Sequence, residues 1–124
     1  AVLAARHIGY STGPSGVALQ KLFQRWGIAS AVADKTVQAP PGVPVASLVA
    51  KGEVDLGFQQ LSELLNVPGI TIVGPLPEPV QIVTVFSAGI PVNTPRATAV
   101  QAMIDHMRSP EADAAKRRQG MQSA

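Results

Sequence analysis

The stretch His7 to Trp26, HIGYSTGPSGVALQKLFQRW, decides how the rest of the chain is read. It comprises a short apolar strand at about Ile8 to Tyr10, a loop of Ser, Thr and Gly, and an amphipathic helix. Leu19, Leu22, Phe23 and Trp26 recur at i, i+3, i+4 and i+7, the spacing of one helical face. Pro14 suits the first helical turn, where its missing N–H is no loss, and Gly27 suits the residue that closes a helix. The loop Ser11-Thr12-Gly13-Pro14-Ser15-Gly16 carries no charged side chain. Small residues let backbone N–H groups approach a ligand, and the helix dipole puts partial positive charge at the same place.

Upstream, Ala1 to Ala5 reads as the end of a helix or a linker. Downstream, a polar connection from Ser30 to Asp34 precedes a second short strand, about Thr36 to Gln38. Ala39-Pro40-Pro41-Gly42 is a rigid turn into a second helix, whose inner face is marked by Val45, Leu48 and Val49 and whose end is Lys51-Gly52. Val54 to Phe58 reads as a third strand, Leu61 to Leu65 as a short helix, and Ile70 to Val73 as a fourth strand after the turn Val67-Pro68-Gly69. Strands alternating with helices in this way predict an α/β fold with a parallel sheet and right-handed crossovers.

Gly74-Pro75-Leu76-Pro77-Glu78-Pro79 breaks the alternation, because three prolines in so short a run favour a stiff, extended connector. The expected boundary falls there: residues 1–79 form an α/β ligand-binding lobe, and residues 80–124 form a connecting strand and C-terminal helices. Val80 to Ile90 has high β-propensity. Thr94-Pro95 predicts a helix start, with Val100, Met103, Ile104 and Met107 as its apolar stripe. Ser109-Pro110-Glu111 repeats the start signal, and Gly120 ends the last helix.

The 124 residues suffice for one domain with a core, and 46% apolar with only 4% aromatic content makes that core aliphatic. Charged residues are 15%, below the roughly 25% usual in soluble domains, so part of the surface is expected to face something other than water. A net charge of +2 gives no electrostatic basis for a nucleic-acid partner. The basic run Lys116, Arg117, Arg118 is read first as the complement to the negative end of a helix, with contact to an acidic partner or a membrane surface as the alternatives. The absence of Cys excludes disulfide scaffolds, thiol catalysis and cysteine zinc sites. No apolar run approaches the ~20 residues needed to span a bilayer.

In a parallel sheet a ligand lies beyond the carboxyl ends of the strands, where strand order reverses. Three segments leave those ends: Ser11 to Gly16, Ala39 to Val43, and Gln59 to Ser62. None carries a charge, and no Asp, Glu, Lys or Arg stands between His7 and Lys21 or between Lys35 and Lys51. Three neutral loops on one rim point to hydroxyls, amides and N–H dipoles as the donors for an anion, without the desolvation cost of a buried lysine. Ser11, Thr12 and Ser15 serve either as helix caps or as hydroxyl donors, and Gly16 and Gly42 either relieve turn geometry or admit a ligand. Of the adjacent amides Gln59 and Gln60, alternation lets one point inward, and Gln60 is favoured. No catalytic residue is assigned: His7 precedes the first strand, His106 lies off the apolar stripe, and neither a Ser-His-acid set nor a carboxylate pair is present. Glu53 and Asp55 flank the start of the third strand, away from the crevice, and Glu63, on the short helix after Gln60, is either a solvated helix charge or a group that approaches the crevice. No metal-ligand spacing occurs, and no cofactor is expected.

Three motifs carry a resemblance to a known family: the GPSG loop at Gly13 to Gly16, the run LVAKGEVDLGF at Leu48 to Phe58, and the tail MIDHMRSPEADAAKRRQGM at Met103 to Met121. The chain resembles the second half of type 2 periplasmic solute-binding proteins, in the group around the molybdate receptors of ABC transporters. The resemblance implies a three-layer parallel-sheet lobe of that fold, with a crossing antiparallel strand and two C-terminal helices. In the molybdate receptors this lobe supplies an amide from the first loop, another from the start of the next helix, and a tyrosine after the third strand. Those positions fall on Ser15, on Gly42 or Val43, and on Gln60, where the tyrosine is absent. The run GFQQLSELL at Gly57 to Leu65 resembles a branch that includes aconitate isomerase.

The resemblance implies a periplasmic location, with a signal peptide upstream of Ala1, a small anionic ligand and an ABC permease as partner. It also implies a first lobe beyond this sequence, so that the chain alone is expected to bind weakly and to expose apolar surface through which two copies associate. Two further readings stand beside the receptor. One is an isomerase acting on a tricarboxylate such as aconitate. The other is the effector domain of a bacterial transcription regulator, which shares this fold.

Overall fold

The first strand, β1 (Ile8–Tyr10), is the centre of a three-stranded parallel sheet of order β2-β1-β3, flanked by β2 (Thr36–Gln38) and β3 (Leu56–Phe58). Gly9 pairs with Val37 on one side and with Gly57 on the other, so the strands end level with one another. The computed structural model describes residues 1–123, and these divide into two compact units, one up to Thr84 and one from Val85 onward.

Alternation along the strands separates the two faces of the first unit. Ile8 is fully buried on one face with Leu19, Leu22 and Phe23 of α1 (Pro14–Arg25), and Leu56 and Phe58 pack there too. Phe23 meets Phe58 edge to face, with ring centroids 6.2 Å apart, a geometry worth about 0.5–1.5 kcal/mol beyond simple burial. On the other face Val45 and Leu48 of α3 (Val45–Ala50) join Ala39 and Val54. Gly9 and Gly57 lie under this helix. A Cβ at Gly57 would stand 2.7 Å from Val49 Cγ2 and 3.0 Å from Val45 Cγ1, so the glycine pair sets how closely α3 approaches the sheet. Helices on both faces of a parallel sheet agree with the expected layers.

Both α1 and α3 close as their sequences predict, with Gly27 and Gly52 at φ +67° and +73°. Trp26 differs from the expected core stripe: it is the residue after α1 and 41% exposed, with its ring tilted at 38° to that of Phe23 and the centroids 6.3 Å apart. The polar connection at Ser30 to Asp34 is instead a short helix, α2 (Ala29–Val32), followed by a 3-10 turn at Ala33–Lys35. Val32 anchors it, buried in the same core cluster as Ala5, Ile8 and Phe23. Beyond β3 the chain enters α4 (Leu61–Leu64).

Two expected strands are absent among the described residues. Ile70 to Val73 forms no regular element and joins no sheet, and Ile72 and Val73 are exposed. Val80 to Ile90 is not a crossing antiparallel strand: it starts in a 3-10 turn at Glu78–Val80 and continues without regular structure or a ladder. High β-propensity favours a pleated, half-buried surface, and without a partner edge it makes no strand. Val80 and Ile82 still contribute, packing on the core that contains Phe23.

The second unit carries α5 (Ala97–Arg108) and α6 (Pro110–Arg118). The helix starts later than Thr94-Pro95 predicts: Thr94 Oγ1 accepts the Arg96 N–H at 3.3 Å, and Arg96 is the cap residue. Ser109 separates the two helices and donates its hydroxyl to the His106 carbonyl at 2.8 Å. Lys116, Arg117 and Arg118 occupy the last turn of α6, and Gly120 closes it at φ +68°.

Candidate functional site

The equal strand ends bring three loops to one rim of the sheet: Ser11 to Gly16 after β1, Ala39 to Val43 after β2, and Gln59 to Ser62 after β3. Because β2 and β3 lie on opposite sides of β1, the reversal of strand order falls at this rim, where an open α/β sheet forms its crevice.

The first loop is folded tightly over α1. The cap residue of α1 is Gly13, and no side chain caps the helix. Ser11 and Ser15 instead hydrogen-bond to each other through their hydroxyls at 3.0 Å, and Thr12 is exposed. Gly16 and Val17 donate their N–H groups to the Gly13 carbonyl, whereas the Ser15 N–H has no partner among the described residues. The positive end of a three-turn helix and one free N–H thus lie beside two hydroxyls. Gly16 is buried because the Ser11 carbonyl passes directly over it.

In the second loop Gly42 adopts φ +79°, and the Val43 N–H is already donated to the Pro40 carbonyl at 3.0 Å. Of these two candidate donors, Gly42 keeps its N–H without a partner among the described residues. Gly42 is exposed and Val43 half-buried.

The third loop divides its two amides. Gln59 turns its side-chain oxygen toward α3 and accepts the Ala46 N–H at 3.3 Å. Gln60, at φ −60° and ψ 140°, is the cap residue of α4, and its backbone carbonyl accepts the Glu63 N–H at 2.9 Å. Its side chain has no hydrogen-bond partner among the described residues, and both glutamines are half-buried.

The acids lie elsewhere. Asp55 sits at the opposite end of the sheet, where its carboxylate accepts the backbone N–H groups of Arg6 and His7 at 3.0 and 2.6 Å. Those two bonds, the Arg6 one foremost, hold its carboxyl below the usual aspartate range. His7 is tied to that end through its N–H, and His106 is exposed on α5. Spacing could not have revealed the Gln59–Ala46 and Asp55–His7 bonds, since they join residues 13 and 48 positions apart.

The first unit is thus a small parallel sheet with helices on both faces and three loops without charged side chains at its carboxyl rim. The family model for bacterial extracellular solute-binding proteins matches residues 3–122, and the chain belongs to that family. Over 113 residues it is 39% identical to an aconitate isomerase from a Pseudomonas species, a match covering 87% of this chain. The chain spans 41% of the length of that relative. No solved structure matches the chain. Among the described residues, no helix is long and apolar enough to cross a membrane.

Proposed function

We propose that this chain is the second lobe of a periplasmic receptor for an ABC importer, and that it holds a small oxyanion or carboxylate through backbone amides and neutral polar side chains. In this reading residues 1–79 are the ligand-binding lobe, and residues 80–124 connect to the first lobe and pack on it. A signal peptide precedes the mature protein, and the permease is its partner.

The observation that supports the reading is the neutral rim. The three loops leaving β1, β2 and β3 carry no charge, and the Ser15 and Gly42 N–H groups have no partner among the described residues. Unpaired amides beside a helix N-terminus stabilise negative charge and bury no fixed cation. The ligand set is Ser15 and Gly42 through N–H, Ser11, Thr12 and Ser15 through hydroxyls, and Gln60 through its amide. Gly16 allows the loop its close approach. Gln59 and Val43 complete the wall.

Titration calorimetry of the chain with molybdate, sulfate, citrate and trans-aconitate tests this. Weak, saturable heat with at least one anion, and none with its uncharged analogue, is the expected result. Equal heats with charged and uncharged forms overturn it.

A second reading has its own support in the resemblance to an aconitate isomerase. The tricarboxylate would then be substrate, and the proton-transferring group would come from beyond this chain, because the rim offers no acid or base. Incubating the longer protein with trans-aconitate and following the cis isomer separates the two: turnover establishes the isomerase, and binding without turnover the receptor.

A further inference from the structure

The rim contains a neutral amide where a carboxylate would do the visible job better. Gln59 Oε1 accepts the N–H of Ala46, the second residue of α3. That N–H is a donor only, so the amide cannot be flipped: oxygen faces the helix, and the two N–H groups of Nε2 face away from it. A glutamate would accept the same bond more strongly and would favour the positive end of the helix. It would also place a negative charge on a rim that otherwise carries none.

Resting on the anion-binding reading above, we propose that Gln59 is a positioning residue, which holds the start of α3 and the preceding Gly42 turn in place while keeping the rim uncharged. Three links carry the effect. Gly57 lets α3 lie close on the sheet, with Val45 and Val49 occupying the space a Cβ there would need. Gln59, two residues further on the same side, ties the first turn of that helix to the exit of β3. Only Val43, Pro44 and Val45 separate Gly42 from the tethered Ala46, so the tether fixes where the Gly42 N–H stands. Gln60 is one residue out of phase and is left free for a ligand.

The test compares Gln59→Leu and Gln59→Glu with the parent chain, using amide NMR without ligand and calorimetry with sulfate and trans-aconitate. In Q59L the Ala46 amide exchanges about five- to tenfold faster, as loss of one hydrogen bond predicts. The Gly42 amide resonance also shifts, although Gly42 lies four residues before the tethered Ala46. In Q59E the Ala46 amide exchanges no faster than in the parent, stability is retained, and affinity for either anion falls at least about tenfold through like-charge repulsion. Unchanged Ala46 exchange and Gly42 shift in Q59L overturn the positioning role, whatever the anions do. Parental affinity in Q59E overturns the need for neutrality. If the parent binds neither anion, the anion-binding reading fails, while the amide readouts still decide the tether.

Discussion

The carbonyl oxygen of Ser11 lies where a side chain on Gly16 would begin: a Cβ there would stand 1.8 Å from it. The loop after β1 therefore crosses the first turn of α1 at a distance only glycine permits, and Tyr10 closes the other side at 3.1 Å. Backbone cannot yield as a flexible side chain does. Gly16→Ala is expected to destabilise the chain by at least about 3 kcal/mol, the upper end for overpacking, and to abolish anion binding. Chemical denaturation and calorimetry read the two effects. A G16A chain as stable as the parent would show that the loop has room to move.

Ser15 separates the roles of cap and donor. No side chain caps α1, so the Ser15 hydroxyl contributes its bond to Ser11 and little to helix stability. Ser15→Ala is expected to cost less than about 1 kcal/mol, the net value of one ordinary hydrogen bond, and to weaken anion binding severalfold. The variant keeps the backbone N–H, so some binding remains. A large stability loss in S15A would instead make the hydroxyl pair structural.

Much of this arrangement is legible in sequence, for identifiable reasons. The β1–loop–α1 unit follows from local signals: an apolar run, Pro14 at the helix start, a stripe of Leu19, Leu22 and Phe23, and Gly27 at the end. The strands β2 and β3 follow from the same alternation. Val80 to Ile90 misleads because propensity describes a residue and a strand requires a partner edge. Trp26 misleads because helical spacing continues one residue past the last buried turn. At the rim, the neutral loops are visible as a lack of charge. The tether from Gln59 to Ala46 is not visible, since it depends on two elements meeting through tertiary packing.

Asp55 predicts an acid response. Its carboxylate accepts the Arg6 and His7 N–H groups at the start of β1, and Arg6 Nε lies 3.8 Å away. These contacts favour the charged form, so the folded pKa lies below the usual aspartate value. A depressed carboxyl stabilises the fold above its unfolded pKa, and that contribution is lost as pH falls through the folded value. Unfolding midpoints are therefore expected to drop as pH goes from about 5 to below 3.8. Asp55→Asn removes part of that slope and lowers stability at neutral pH. A D55N chain with the parental pH profile would assign the acid response to other groups.

The second unit predicts association. On α5, Val100 and Ile104 are half-buried, but Met103 and Met107 of the same stripe are 57% and 53% exposed. Phe86 and Val92 add 67% and 99% exposure in the same unit. Apolar surface of this kind drives contact with another surface, and methionine adapts readily to whatever it meets. If the stripe normally faces the rest of a longer protein, the chain alone should associate as its concentration rises. Light scattering of the parent is expected to show a mass that climbs with concentration. The double change Met103→Lys and Met107→Lys should hold it near the monomer value of 12.9 kDa without loss of helix content. A parent that stays monomeric at millimolar concentration would mean that α5 needs no cover, and the argument for a partner on that face would fall with it.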